Sequence, residues 1–192
     1  MDASWGEQAS SASASASAVA GARQVLADYF ELTKPKVQTL LLFTTITTME
    51  IAGSPPVSKI ALTCLGGYLS AGGAGAVNHY YDRDIDAQMK RTASRPIPAG
   101  RISPRAALTF GFVLCGLSFA LLSLTVNLLA ALLALAGFVG YVGIYTIWLK
   151  RRTPQNIVIG GAAGAVPPLV GWAAAAPPIT MFWGVRRLSQ IV

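Results

Sequence analysis

Five long apolar stretches, at about residues 37–53, 60–78, 106–126, 128–149 and 157–176, constrain this chain more than any other feature. A bilayer's hydrocarbon core takes about 20 residues of helix, and each stretch approaches or reaches that length. Backbone N–H and C=O groups in lipid have no water to pair with, so a spanning stretch satisfies them internally, as a helix. Composition agrees with this reading. Only 12% of the 192 residues are charged and 53% are hydrophobic, whereas a soluble domain is about 25% charged. The expected fold class is an all-α integral membrane protein with about five transmembrane helices.

The charge pattern sets the topology. Net charge is +7, which in a soluble protein would suggest a nucleic-acid partner. Here the basic residues lie in short runs between the apolar stretches, so no nucleic acid is expected. Arg83, Lys90, Arg91, Arg95, Arg101 and Arg105 lie in the 79–105 loop, Lys150, Arg151 and Arg152 follow the fourth stretch, and Lys34 and Lys36 precede the first. The excess of Lys and Arg on cytoplasmic loops predicts that the N-terminus and the 79–105 loop are cytoplasmic. Arg186 and Arg187 then fall on the opposite side, against the pattern. Cys64 and Cys115 sit inside apolar stretches and His79 is the one histidine, which excludes a Cys/His zinc site and a disulfide framework.

Residues 1–24 open with Ser/Ala repeats and are expected to be disordered. Residues 25–36 read as a short amphipathic piece at the membrane interface. In the second stretch Gly67, Ala71 and Gly75 recur every four residues, a spacing that lets helix backbones approach closely in lipid. That stretch is therefore expected to be an interior helix with this stripe as its contact face.

The second stretch runs directly into Asn78-His-Tyr-Tyr-Asp82-Arg-Asp84-Ile-Asp86. On a continuing helix Asn78, Asp82 and Asp86 share one face, and Asp84 points away from it. Stacked carboxylates at a membrane boundary repel one another unless a cation is present. Mg²⁺ is the expected ion, because it takes oxygen from carboxylates and from substrate phosphates. Lys90, Arg91 and Arg95 follow, and arginine binds phosphate oxygens bidentately. Carboxylates and basic residues in tandem thus suit a metal-bridged diphosphate. His79 is a candidate ligand or substrate-facing residue, although a lone interfacial histidine is more often neither.

These residues resemble a known family. Asn78-x-x-x-Asp82-x-x-x-Asp86 is similar to the first aspartate-rich motif of the UbiA-type intramembrane prenyltransferase superfamily. Leu32-Thr33-Lys34-Pro35-Lys36-Val37, the run from Tyr81 through Arg95-Pro96-Ile97-Pro98-Ala99-Gly100, and Asn156-Ile157-Val158-Ile159-Gly160-Gly161 with Pro167-Pro168-Leu169-Val170-Gly171-Trp172 resemble its protohaem IX farnesyltransferase (haem O synthase) branch. The resemblance covers about residues 28–176. It implies transfer of a farnesyl group from farnesyl diphosphate to the 2-vinyl group of haem B, giving haem O and diphosphate, in haem O/haem A biosynthesis. It implies that Asn78, Asp82 and Asp86 hold Mg²⁺ and the diphosphate, and that Lys90, Arg91 and Arg95 neutralise the leaving group. Haem B is then substrate rather than cofactor. The lipid bilayer of a bacterial inner membrane is the setting, and haem A synthase or terminal oxidase assembly lies downstream.

The chain departs from the family in one respect. Family members carry about nine spans and a second aspartate-rich motif, whereas this chain has no Asp or Glu after Asp86. It is expected to be a C-terminally truncated member, the N-terminal portion of a nine-helix bundle. Residues 25–176 would be a partial UbiA-type domain and 177–192 a divergent tail. Three readings stand: an active enzyme, alone or with a second chain to complete its site, an inactive membrane fragment of that enzyme, and a UbiA-type prenyltransferase with an aromatic phenol acceptor. Whether haem or a small phenol is consumed separates the first from the third.

Overall fold

The structure, a computed structural model, describes residues 19–153 and 155–176. Among these residues all the regular secondary structure is helical. Helix α1 covers residues 19–32, so order begins before the boundary at 25 that composition suggested. The Ser/Ala repeats up to residue 18 and the 177–192 tail lie outside the described residues. Then come α2 (Pro35–Gly53), α3 (Val57–Gln88), α4 (Pro104–Thr125), α5 (Leu128–Leu149), α6 (Asn156–Gly164) and α7 (Val166–Ala175).

Local sequence sets the helix ends. Pro35 and Pro104 open α2 and α4, where a missing N–H leaves no hydrogen bond unmade. Ser103 Oγ accepts from Ala106 N at 3.2 Å and Asn127 Oδ1 from Ala130 N at 2.7 Å, capping α4 and α5. Pro167 and Pro168 break the fifth apolar stretch, so it becomes the pair α6 and α7 rather than one continuous rod.

Helices α3, α4, α5 and the α6–α7 pair are long and apolar enough to cross a membrane. α2 has spanning length, 19 residues, but five threonines with Gln38 and Glu50 lower its hydropathy. The hydroxyls of Thr44, Thr45, Thr47 and Thr48 return to carbonyls of the preceding turn, so these polar groups are satisfied within the helix. Leu40, Phe43, Ile51, Phe112, Leu117, Leu124 and Val158 are exposed around the bundle. Such a girdle of large apolar side chains fits hydrocarbon, not water. The chain is a multi-pass membrane protein.

α3 is the interior helix. Half of its most apolar stretch is buried, against 28% or less for the other three spans. Its 32 residues give about 48 Å at about 1.5 Å per residue. That exceeds a hydrocarbon core of about 30 Å, so the helix beyond Asn78 stands clear of it.

The closest helix contact is not on the stripe that spacing suggested. Gly66 and Gly73 face α4, and a Cβ on Gly73 would lie 2.5 Å from Gly111 O. α3 and α4 form the most extensive helix pair of the bundle. Gly67, Ala71 and Gly75 line a cavity between α3 and helices α2, α5, α6 and α7, and of the two glycines only Gly75 also takes a close backbone approach, from the end of α1, where a Cβ would lie 3.0 Å from Leu32 O. Small residues there leave room for something other than a helix.

Gly73→Ala is expected to overpack the α3–α4 contact and to destabilise the protein by about 1–3 kcal/mol. Gly116→Ala, with nothing within 4 Å of the added methyl, is the control. Thermal unfolding of both variants in one detergent checks this. Equal midpoints would remove the assignment of Gly73 as the closest approach.

Candidate active site

The C-terminal third of α3 carries the candidate site residues. Asn78, Asp82 and Asp86 form one stripe and are 2%, 4% and 5% exposed. Buried oxygens of this kind persist only when a donor or cation meets each of them. Each is met by a different segment of the chain.

Lys34 Nζ donates to Asn78 Oδ1 at 2.5 Å. Lys150 Nζ pairs with Asp82 Oδ2 at 2.5 Å, and Arg95 Nη1 with Asp86 Oδ2 at 2.7 Å. Asn78 Nδ2 donates to Thr146 Oγ1 at 3.2 Å, which fixes the amide so that its oxygen faces Lys34. Asp84 points away, as the helical spacing requires, and takes Arg151 in a two-pronged pair at 2.7 and 2.9 Å.

Local backbone conformation aims each cation. Lys34 lies between α1 and α2 at φ 55°, ψ 59°. A non-glycine residue in this left-handed region costs about 1 kcal/mol. Thr33 fastens the turn: its Oγ1 donates to Phe30 O at 2.7 Å and lies 2.9 Å from Tyr68 Oη, while its carbonyl accepts Gln38 Nε2 at 3.1 Å. Burial, with the nearby Arg95 charge, pushes the Lys34 ammonium down to about 8, so it stays largely charged at neutral pH. Lys150 follows the π-helical second half of α5, Gly140–Leu149. There the Thr146 hydroxyl and the Lys150 N–H both reach back five residues, to Tyr141 O and Tyr145 O at 2.9 Å. π segments of this kind gather at functional sites because the wider turn re-aims side chains. Arg95 is carried by the loop after α3. Thr92 Oγ1 donates to Asp86 O at 2.9 Å, and Arg101 pairs with Asp28 of α1 at 2.9 Å, folding the loop over the end of the stripe.

The structure thus brings Asn78, Asp82, Asp86 and Arg95 together. Lys90 and Arg91 are exposed and form no ion pair among the described residues. α3 ends at Gln88, where the chain turns to make the Thr92 and Arg95 contacts. Lys34 and Lys150 were legible only as topology signals. His79 is 3% exposed and neither ring nitrogen has a hydrogen-bond partner among the described residues. Among the described residues no three His, Cys, Asp or Glu side chains are grouped to hold a metal on their own.

Below this polar head lies the cavity, of about 290 Å³. Its wall is mostly apolar: Leu41, Leu42, Ala74, Phe138 and Val170 beside the small residues of α3, with Lys34 at its polar end. That volume is at the small end of the range for ligand sites, about 300–1,000 Å³.

The described residues thus set a head of cations and carboxylates above an apolar cavity in a helical membrane bundle. Residues 41–186 match the UbiA prenyltransferase family, and this chain belongs to it. The match enters the 177–192 segment that the sequence reading set apart. Curated relatives named protoheme IX farnesyltransferase include one from Symbiobacterium thermophilum, 58% identical over 153 residues. Others come from Roseiflexus sp. (strain RS-1), 55% over 169 residues, and Trichodesmium erythraeum, 52% over 171 residues. These alignments cover 79%, 85% and 88% of this chain but only 51%, 32% and 52% of the relatives. The chain spans about a third to a half of their length. A solved structure described as digeranylgeranylglyceryl phosphate synthase in membranes shares the fold, with a TM-score of 0.72 at 23% identity over 81% of this chain and 55% of that one.

Lys150→Met should leave Asp82 buried without a countercharge and destabilise the protein by about 3 kcal/mol. Asp82→Asn added to it should recover most of that loss. Thermal unfolding of the single and double variants is the check; a double variant no more stable than Lys150→Met would contradict the pairing.

Proposed function

We propose that this chain acts as a protohaem IX farnesyltransferase, moving the farnesyl group of farnesyl diphosphate onto the 2-vinyl group of haem B and releasing haem O and diphosphate. The observation that carries this reading is the polar head, with three cations on three oxygen side chains, set directly above an apolar cavity. The names of relatives at 52–58% identity support the same reading.

The head fits a diphosphate with one divalent ion by its charge. Lys34, Arg95 and Lys150 against Asp82 and Asp86 leave one net positive charge. A prenyl diphosphate brings about three negative charges, and one Mg²⁺ restores neutrality. Asn78, Asp82 and Asp86 are the hard-oxygen donors that would hold this ion, which when bound supplies positive charge to the phosphate oxygens.

The protein's own groups do the rest. Lys34, Lys150 and Arg95 exchange a side-chain oxygen for a phosphate oxygen and stabilise the departing diphosphate. Exposed Lys90 and Arg91 draw the anion toward the head before it docks. The cavity holds the isoprenoid chain and keeps water from the allylic carbon. The head faces the cytoplasm of a bacterial cell with the inner membrane as its bilayer, and haem O passes on to haem A synthase or terminal oxidase assembly.

Expression in a bacterial host lacking its own haem O synthase tests the activity by haem extraction and mass spectrometry. Haem O is expected, and Asp82→Ala should abolish it. Absence of haem O with the wild-type chain confirmed in the membrane would overturn the reading. For orientation, a cysteine at exposed Ala93 should resist membrane-impermeant maleimide in intact cells. Labelling from outside would reverse the topology.

A further inference from the structure

The cavity has a depth that two helices set independently. On α3 its wall runs from Gly75 down to Gly67, and on the α2 side from Lys34 down to Thr45. Lys34 meets Asn78 in the head, so both walls start from one level. Gly67 lies eleven residues before Asn78, and Thr45 lies eleven after Lys34. At about 1.5 Å per residue, both walls end about 16 Å from the head. There the bundle closes. α7 lies against α2, where a Cβ on Gly171 would be 2.6 Å from Thr45 O. Met49 and Ala130, one turn farther from the head than the wall residues Thr45 and Ala134, belong to a buried core with Leu122 and Val170.

Gly67 leaves this end of the cavity open. A Cβ built there meets no neighbouring helix closer than Leu42 Cδ2 at 4.0 Å, and Leu42 is itself a wall residue. A side chain at position 67 would therefore grow into the cavity. Gly75 and Gly160 differ: Leu32 O at 3.0 Å and the Tyr145 ring at 2.5 Å already fill the place of their side chains. Glycine weakens a helix interior relative to alanine, so an open glycine calls for a reason. Chain length supplies one. Carbon–carbon bonds of about 1.5 Å advance an extended chain about 1.25 Å each, so geranyl spans about 9 Å and farnesyl about 14 Å. The phosphoester link adds a few Å. Geranyl then stops short of Gly67, the third isoprene unit of farnesyl lies beside it, and a fourth unit would meet the closed core. We propose that Gly67 is a specificity-determining residue: its missing side chain leaves the place of the third isoprene unit, and the core beneath excludes a fourth. This inference rests on reading the head as a prenyl diphosphate site.

Binding to the full chain in nanodiscs tests this without relying on turnover. The probes are unreactive geranyl, farnesyl and geranylgeranyl thiodiphosphates with Mg²⁺, which share a head group and differ only in the tail. Affinities are expressed against probe dissolved in the lipid, so partition of the free tail cancels. Wild type is expected to bind the farnesyl probe about tenfold more tightly than either neighbour in the series. Gly67→Leu should weaken the farnesyl probe about tenfold and leave the geranyl probe unchanged. Gly116→Leu, equally bulky but exposed and outside the cavity wall, should keep the wild-type series. If Gly67→Leu does not fold, Gly67→Ala decides: one methyl should weaken the farnesyl probe about threefold and spare the geranyl probe. An equal loss of both probes, no loss of either, or a matching shift in Gly116→Leu overturns the role of Gly67 and leaves the site reading standing. A geranylgeranyl probe bound by wild type as tightly as farnesyl does the same. No binding of any thiodiphosphate by wild type overturns both.

Discussion

Two carboxylates and an amide oxygen buried along one face of α3 are the constraint on which the rest of the fold depends. Desolvating a charge is far costlier than any single apolar contact can offset, so Asp82 and Asp86 must be met by cations. Their own helix supplies none to that face. The chain answers with Lys34 from the turn before α2, Arg95 from the loop after α3 and Lys150 from the end of α5. Three connections far apart in sequence are drawn to one end of the bundle. The basic runs that count as topology signals meet at that end because the same charges answer the carboxylates.

Local devices hold these cations in position. A left-handed Lys34 ahead of Pro35, a π-helical end to α5, and a loop pinned by Thr92 and Arg101 each depart from ideal geometry. Strained or irregular backbone persists where surrounding contacts over-determine it. Here those contacts include Thr33 with Phe30 O and Tyr68, Arg151 with Asp84 and Tyr81 O, and Arg101 with Asp28. The apolar half of the bundle is regular by comparison, with α3 packed on α4 through glycines and with capped or proline-initiated helices around them.

The sequence made some of this legible and left the rest hidden, for physical reasons. Asn78, Asp82 and Asp86 stand out because acids spaced by four directly after an apolar run have few bland explanations. The helical bundle stands out because length and hydropathy leave lipid few other options. Lys34 and Lys150 could not be assigned to the site, since they lie 44 and 68 residues from their partners and look like any other loop cation. Gly67, Ala71 and Gly75 misled because small residues serve close helix contact and cavity walls equally well; only the register against α4, set by Gly66 and Gly73, separates the two. A π segment of ten residues shifts the periodicity too briefly to show in hydropathy.

The ion pairs also bear on the proposed substrate, a phosphate-bearing amphiphile. Each cation already has an oxygen partner, so a ligand must replace that oxygen with one at least as good. A neutral lipid cannot do so, and a group that removed a cation without neutralising Asp82 or Asp86 would leave a buried charge exposed to low dielectric. A diphosphate with a divalent ion meets both requirements: the phosphates take over the cations while the ion takes over the carboxylates. On the proposed reading, the pairs are competitors that keep the head closed to ligands unable to satisfy both halves. The mostly apolar cavity beneath is then the place for the tail of such a molecule.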